Sequence, residues 1–386
     1  MPDRAEIARS AAAGLRQFAA AAAATPVLIG FDGFVDSIIK VVDKRHDLDR
    51  YDAIATIADF GGRISAAAGQ SANFEMVTTL QKLGGNGPIM GNAMAAAGLK
   101  IRYVGALGEP TIHEVFEPFA EHAEVYSVVE PGYTDALEFA DGKLMLGKYE
   151  SVANLDCEQI HAAIGRDKFD QLVTSSRLIG MVNWTMLPKQ ETIWCDLIER
   201  VLPNAPATVD GRRRMIFIDL ADPAKRTTDD LKHALSMCSK LNKLADVVLG
   251  MNLKEAGQVA AVLGVAIDGD AEAAIQSTAA DIRETLGLHC VVVHPRRGAA
   301  AARLGDDGKT VSTAAFYGPF VANPKLSTGA GDNFNAGFCL GLLADLTVEQ
   351  ALCTGTATSG YYVRNGASPA LDQLAVFCDA LPSPEQ

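Results

Sequence analysis

The sequence predicts an α/β fold with a large, mostly parallel sheet flanked by helices on both faces and a small β lid. Three observations carry the prediction. From Pro26 onward, short β-branched or apolar runs alternate with longer Ala/Leu-rich stretches, the rhythm that builds a parallel sheet covered by crossover helices. Two stretches, near residues 35–80 and 124–150, break that rhythm with mixed charge, a Gly61-Gly62 break and short apolar runs. Within the second, Asp141-Gly142 separates residues 136–140 from 143–146, and an Asp-Gly pair between two such runs signals a β-hairpin.

Element by element, strands are expected at residues 27–31, 101–105, 178–182, 215–219, 247–250 and 290–294. Helices are expected at 91–98, 253–263, 271–286, 333–343 and 348–363. The Ala-rich start is broken by Asp3, Arg4, Glu6, Arg9 and Arg16, so its uncharged stretch at 18–24 is too short to span a membrane or act as an export signal. It reads as an amphipathic helix packed on the outside of the fold. A length of 386 residues suits one domain over residues 1–386, with the two lid segments inserted in it.

A formal net charge of -13 argues against a nucleic-acid partner, because such binding draws on clustered Lys and Arg. The one tight basic run, Arg212-Arg213-Arg214, follows the turn-like Asp210-Gly211 and reads as a solvated strand entrance. The seven cysteines are scattered, odd in number and without CxxC or Cys/His ligand spacing, which speaks against a disulfide framework or zinc site and suits a reducing cytoplasm.

The strongest chemical signal is Ser327-Thr328-Gly329-Ala330-Gly331-Asp332-Asn333-Phe334, a run of small residues leading into an apolar-periodic helix. Small residues let a ligand approach the first amides of a helix, which bind anions. A carboxylate at that place repels phosphate unless it takes up a proton. Asp332 therefore either caps the helix after a Gly-rich turn or acts as the base for a hydroxyl attacking phosphorus, with the amides of Gly329, Ala330 and Gly331 as an anion hole.

With this GAGD element opening a helix, the chain resembles the PfkB/ribokinase family of sugar and nucleoside kinases. Three further elements agree in order and approximate spacing over residues 27–370. Gly30-Phe31-Asp32-Gly33-Phe34-Val35-Asp36 ends the first strand, and the resemblance implies Asp32 and Asp36 as acceptors for substrate hydroxyls. Gly84-Gly85-Asn86, with Asn92 in the small-residue helix that follows, matches the family's GG...N substrate element. Asn252-Leu253-Lys254-Glu255 matches an NxxE element near the metal and phosphates, although Asn and Glu at this spacing also form a capping box. Gly298 and Asn365, in the tail of residues 363–368, complete the nucleotide-binding set.

The resemblance implies a ribokinase-like fold, ATP as co-substrate, Mg2+ held by Glu255 through water, a sugar or nucleoside acceptor and a homodimer formed through the lid. Leu326 stands where many members carry an Asp tied to a monovalent cation. The usual TxGxxG turn reads Val293-His294-Pro295-Arg296-Arg297-Gly298, and the acid that follows Gly108 is Glu109 where an Asp is more familiar, with Pro110 after it. Arg296 and Arg297 read as solvated and Lys254 as solvent-facing. Asn183 and Trp184 are candidates for lining the pocket, with Trp184 equally suited to the core.

Three other readings compete. Leu137-Glu138-Phe139 is similar to a stretch of the ADP-dependent sugar kinases, whose HxE element is missing. A sensor that keeps the pocket has no use for Asp332. A nicotinamide-dependent dehydrogenase lacks its GxGxxG, since residues 30–36 put acids in the pyrophosphate's path.

Overall fold

Alternate residues of the central strands feed two separate cores, one on each side of a large sheet. Val27 and Ile29, Met215 and Phe217, and Cys290 and Val292 face one core. Their neighbours Leu28, Ile216, Ile218, Val291 and Val293 face the other. Strands apolar on both faces must be covered twice, and a parallel sheet achieves this with crossover helices. The computed structural model describes residues 3–208, 210–267 and 273–385.

The strands are β1 (Pro26–Phe31), β2 (Phe34–Arg45), β3 (Tyr51–Ala53), β4 (Met76–Gly84), β5 (Lys100–Gly105), β6 (Ala123–Ser127) and β7 (Gly132–Phe139). They continue with β8 (Gly142–Lys148), β9 (Leu178–Met181), β10 (Met215–Asp219), β11 (Asp246–Met251), β12 (Cys290–Val293), β13 (Gly298–Leu304) and β14 (Val311–Tyr317). The large sheet has nine strands in the order β14-β13-β12-β11-β10-β9-β1-β5-β6. It is parallel from β12 to β6 and antiparallel at β13 and β14.

One core takes its helical side from Arg4–Ala22, Asn86–Ala96, Ala330–Leu343 and Val348–Asn365. The helices Thr228–Asn242, Leu253–Leu263 and Ile275–Leu286 serve the other. The N-terminal helix buries Ala8, Ala11, Ala12 and Leu15 and packs against the helices Val348–Asn365 and Leu371–Asp379, as its amphipathic pattern predicts. Ala330–Leu343 and Val348–Asn365 approach so closely that a Cβ on Gly337 would lie 2.6 Å from the Thr354 carbonyl oxygen, and one on Gly341 2.8 Å from the Ala351 Cα. The Thr354 hydroxyl donates to the Gly337 carbonyl at 2.8 Å. This contact holds the helix that carries Asp332.

The small sheet runs β3-β2-β7-β8, with β4 also paired to β2. One of its faces is closed by the helix Ile57–Ala66, through Phe60 on Ile39, Val41, Leu137 and Phe139. The hairpin at Asp141-Gly142 is present as β7 and β8 in antiparallel register.

Several expectations need correction. Residues 123–127 form β6 at the edge of the large sheet, so the accessory sheet draws only on 132–148 from the second irregular stretch. The first helix after β4 starts at Asn86 instead of 91, because Asp32 caps it from outside. The helix expected from 271 starts at Ile275; residues 271 and 272 lie outside the described residues. The Ala-rich run 299–302, for which no element was expected, belongs to β13, where pairing on both sides overrides helix propensity. Arg214 is no solvated entrance residue, for it is buried and donates to the carbonyls of Ser176 and Thr174. Arg212 pairs with Asp345 and Arg213 with Asp246.

Candidate active site

The site lies where the carboxyl ends of the parallel strands meet the small sheet, the place where open α/β sheets bind ligands. Gly329 turns the chain with a left-handed backbone (φ 89°) into the helix Ala330–Leu343. A Cβ there would come within 3.0 Å of the Tyr362 hydroxyl, so the position demands glycine. Asp332 follows in the first turn and is 8% exposed. Asn86 Nδ2 donates to Asp332 Oδ1 at 2.8 Å, which leaves Oδ2 for a substrate. Burial, then the charges of Asp219 and Asp32, pushes the Asp332 carboxyl well above the usual carboxylate range, against the hydrogen bond from Asn86. A group so destabilised as an anion takes up a proton readily.

The Ala330 amide turns to the Ser327 carbonyl at 3.2 Å and so is partly withdrawn from the expected anion hole. Among the described residues no acceptor faces the amides of Gly329 and Gly331. Gly331 borders a cleft of about 360 Å³ whose walls also include Asn252, His294, Arg296, Gly298 and Phe320. His294 stacks on Phe334 at 4.5 Å, and burial lowers its pKa to about 4, leaving the ring neutral at physiological pH. Arg296 and Arg297 are exposed as expected, but both lie over the Phe320 ring, at 5.7 and 4.6 Å.

On the other side of Asp332, Asp36 is buried on β2, in cross-strand register with Lys82 of β4 and Thr134 of β7. Burial raises its pKa against Lys82 and a hydrogen bond from Thr134. Gly84 makes room for it, since a Cβ there would sit 2.5 Å from the Asp36 carboxylate. Tyr362 feels the charges of both Asp332 and Asp36 and, mainly through burial, is pushed up to about 12. The two acids thus share one environment.

Asp32 has a different task from the one expected. It is fully buried and accepts from the amides of Asn86 and Gly87 at 2.9 and 2.8 Å and from Asn183 Nδ2 at 2.7 Å. It fixes the Gly85 turn and the start of the helix Asn86–Ala96 and does not face a substrate. Burial raises it to about 6 despite these three donors.

A sequence model of the family described as prokaryotic ketohexokinase matches residues 3–381. The chain belongs to the prokaryotic ketohexokinase family. A ketohexokinase of Haloferax volcanii is 32% identical over 356 residues, which is 91% of this chain and 90% of that one. Ribokinase of Arabidopsis thaliana, solved with ribose and ATP, superposes with a TM-score of 0.61 at 15% identity over 92% of this chain and 98% of its own. Phosphofructokinase-2 of Escherichia coli gives 0.61 at 13% identity, over 92% and 99%. The fold is therefore ribokinase-like and this ketohexokinase-family chain is a carbohydrate kinase. The sensor, dehydrogenase and ADP-dependent readings find no support. Glu138, the acid behind the last of these, lies in ion pairs with Lys40 and Lys143.

The remaining candidates separate clearly. Asn86 and Gly85 belong to the site, while Asn92 lies further along the same helix, half-buried and without a side-chain hydrogen bond to the site. Asn252 and Glu255 form the capping box, with Glu255 also accepting from the Asp222 amide at 2.8 Å. Asn365 is exposed and bonds back to the Tyr361 carbonyl, outside the cleft. Lys254 is exposed and pairs with Asp222. Asn183 reaches Asp32, whereas Trp184 is core, with Arg226 over its ring at 4.2 Å.

Sequence reasoning missed Asp219, Asn335, His294 and Lys82. Asp219 closes the apolar strand Met215–Asp219 at the sheet's carboxyl edge, a signal that could have found it. It accepts from Asn335 Nδ2 at 2.7 Å. Burial, then the charge of Glu255, raises Asp219 to about 7. Asn335 Oδ1 is buried with no donor. Two buried carboxylates in mutual repulsion beside an orphaned oxygen make a donor set that fits a hard divalent cation.

The elevated Asp219 pKa fixes a sign for stability. Between its unfolded pKa near 4 and about 7, the native state holds more protons than the unfolded one, so this contribution weakens as pH rises through that window. Asp219→Asn removes it. In chelator, the melting curve of the wild type relative to Asp219→Asn is expected to lose on the order of 1–3 kcal/mol between pH 5 and pH 8. A pH-independent difference would show that Asp219 does not titrate as described.

Proposed function

We propose that this kinase transfers the terminal phosphate of ATP to a hydroxyl of a ketohexose, with Asp332 as general base. The observation that carries this reading is the position of Asp332, buried and raised in pKa, between a cleft with free helix amides and a small sheet that presents Asp36. The acceptor class rests on the family and on the Haloferax relative. Asp36 and Lys82 supply a paired acceptor and donor for the polyol's hydroxyls.

In the reaction the acceptor hydroxyl gives its proton to Asp332 Oδ2 as its oxygen attacks the terminal phosphorus, and the bond to the bridging oxygen of ADP breaks. The amides of Gly329 and Gly331 and the positive end of their helix stabilise the charge on the transferring group. Asn86 holds the other oxygen of Asp332, so the base meets the hydroxyl in one orientation. Neutral His294 and Arg296 line the cleft that takes the nucleotide. Asp219, and Glu255 through water, would hold Mg2+, which would supply positive charge to offset that of the phosphates.

The small sheet serves as a lid within a single domain. Leu80, two residues from Lys82 on β4, and Met145, opposite Ala136, are 56% and 50% exposed on the face that bears Asp36. This open apolar face fits a second copy of the same face, giving a homodimer. No helix of the described residues is long and apolar enough to cross a membrane. With free cysteines and net charge -13, we place the enzyme in the cytoplasm, without nucleic-acid or membrane partners. Fractionation that found it elsewhere would contradict this.

Two measurements test the reading. ADP release from Mg2+-ATP is expected with a ketohexose, and Asp332→Asn should lower kcat by roughly two to four orders of magnitude while still binding nucleotide. Undiminished turnover in that variant removes the base, and activity only with nucleosides or only with ADP as donor removes the acceptor or the donor. By light scattering, the wild type should be a dimer and Leu80→Lys with Met145→Lys a monomer; a monomeric wild type rejects the lid interface.

A further inference from the structure

The helical layer opposite the N-terminal helix holds a cluster that phosphoryl transfer does not use. Cys157 and His161 stand four residues apart on the helix Cys157–Ile164, so their side chains share one face. The helix Gln190–Asp196 brings Asp196 against them from a distant part of the chain. Cys157 Sγ lies 3.6 Å from His161 Nε2, and that nitrogen lies 3.7 Å from Asp196 Oδ2. The three donor atoms fall within 4.8 Å of one another. Around tetrahedral Zn2+, with a sulfur at about 2.3 Å and a nitrogen at about 2.0 Å, the two ligands stand roughly 3.5 Å apart. The cluster has nearly that spacing already.

Arg200 supports this arrangement from behind. Its Nε and one terminal nitrogen donate to Asp196, each at 2.7 Å, and its other edge is held by Asp170. Each carboxylate oxygen keeps a second lone pair, and ligating carboxylates are commonly hydrogen-bonded on their outer side. Burial works against the Asp196 anion, but the hydrogen bonds and charge of Arg200 hold its pKa below the usual range. The His161 and Asp196 side chains keep 13% and 16% exposure, enough for an ion and a water to enter.

We propose that Cys157, His161 and Asp196 form a zinc site, completed by one water, that staples the helix Cys157–Ile164 to the helix Gln190–Asp196. The mixed thiolate, imidazole and carboxylate set suits Zn2+ over the harder Mg2+. This runs against the sequence reading of no Cys/His ligand spacing: Cys157 and His161 form such a pair on one helix, and the third donor joins them only in the fold. A free thiol is largely protonated near neutral pH and must lose its proton to ligate zinc. Zinc entry forms a Zn–S bond and releases that proton to solvent. Affinity must then rise with pH, with His161, Asp196, Arg200, Arg166 and, behind Arg200, Asp170 as the ionisable groups around the sulfur.

The test titrates reduced, metal-free, full-length protein with Zn2+ against a chromophoric chelator at pH 6.5, 7.5 and 8.5. One ion per chain is expected, bound more tightly as pH rises, with a Zn2+-dependent rise in Tm. Cys157→Ser and His161→Gln should each weaken binding roughly tenfold or more and abolish the Tm response, while circular dichroism confirms that they fold. Cys195→Ser, at the exposed neighbouring thiol, should change neither. Equal zinc uptake by the wild type and the Cys157→Ser, His161→Gln double variant would overturn the site, as would a wild type that takes up none.

Discussion

The structure turns on one buried relay of hydrogen bonds that starts at Asp32. Its carboxylate takes the amides of Asn86 and Gly87, which sets the direction in which the helix Asn86–Ala96 leaves the Gly85 turn. The side chain of Asn86, placed by that turn, then holds Asp332. Through two side chains the end of β1 thus controls the orientation of a residue far away in sequence. Tyr103 packs beneath and donates to the Asp32 carbonyl, and a Cβ on Gly87 would meet that tyrosine hydroxyl and the Asp32 carboxylate at 2.4 and 2.6 Å. The glycine-rich element is therefore dictated by crowding around a buried acid as much as by a ligand's approach.

The same burial creates a conflict of charge. Burial raises Asp32, Asp219 and Asp332 alike, and the charge of Asp32 adds to the rise at Asp219 and Asp332, that of Asp219 to the rise at Asp332, the kind of perturbed cluster found at functional sites. Asp32 is relieved by the amides of Asn86 and Gly87 and by Asn183, Asp219 by Asn335 and the Ala221 amide, and Asp332 by Asn86 and its own backbone. Asp332 is the one of the three that stands at the free helix amides. Under the proposed mechanism, proton affinity is raised where a hydroxyl must be activated.

Much of the fold was legible because the central strands are apolar on both faces and the helices between them periodic. The six strands expected from the sequence all lie in the large sheet within a residue of their expected ends. Residues 298–317 were not legible, because an alanine run becomes a strand only when β12 offers it an edge. Of the site, Asp332 and the GG...N turn could be read from chain pattern. Asp32 was named with the wrong work, since a motif shows which residue recurs and cannot show that amides already occupy its oxygens. Lys82 beside Asp36 and Asp196 beside Cys157 and His161 depend on pairings across strands and helices that no local pattern contains, whereas Asp219 carried a local signal, the end of an apolar strand, that went unread.

The central claim, that Asp332 is a base whose proton affinity is raised by burial and acidic neighbours, is tested most directly by the pH dependence of kcat/KM for the sugar in the wild type. The account predicts an acid limb on which activity falls as pH drops through an apparent pKa well above the ordinary carboxylate range, because a protonated base cannot take the hydroxyl's proton. Activity that held level down to the ordinary carboxylate range, near pH 4, would contradict it.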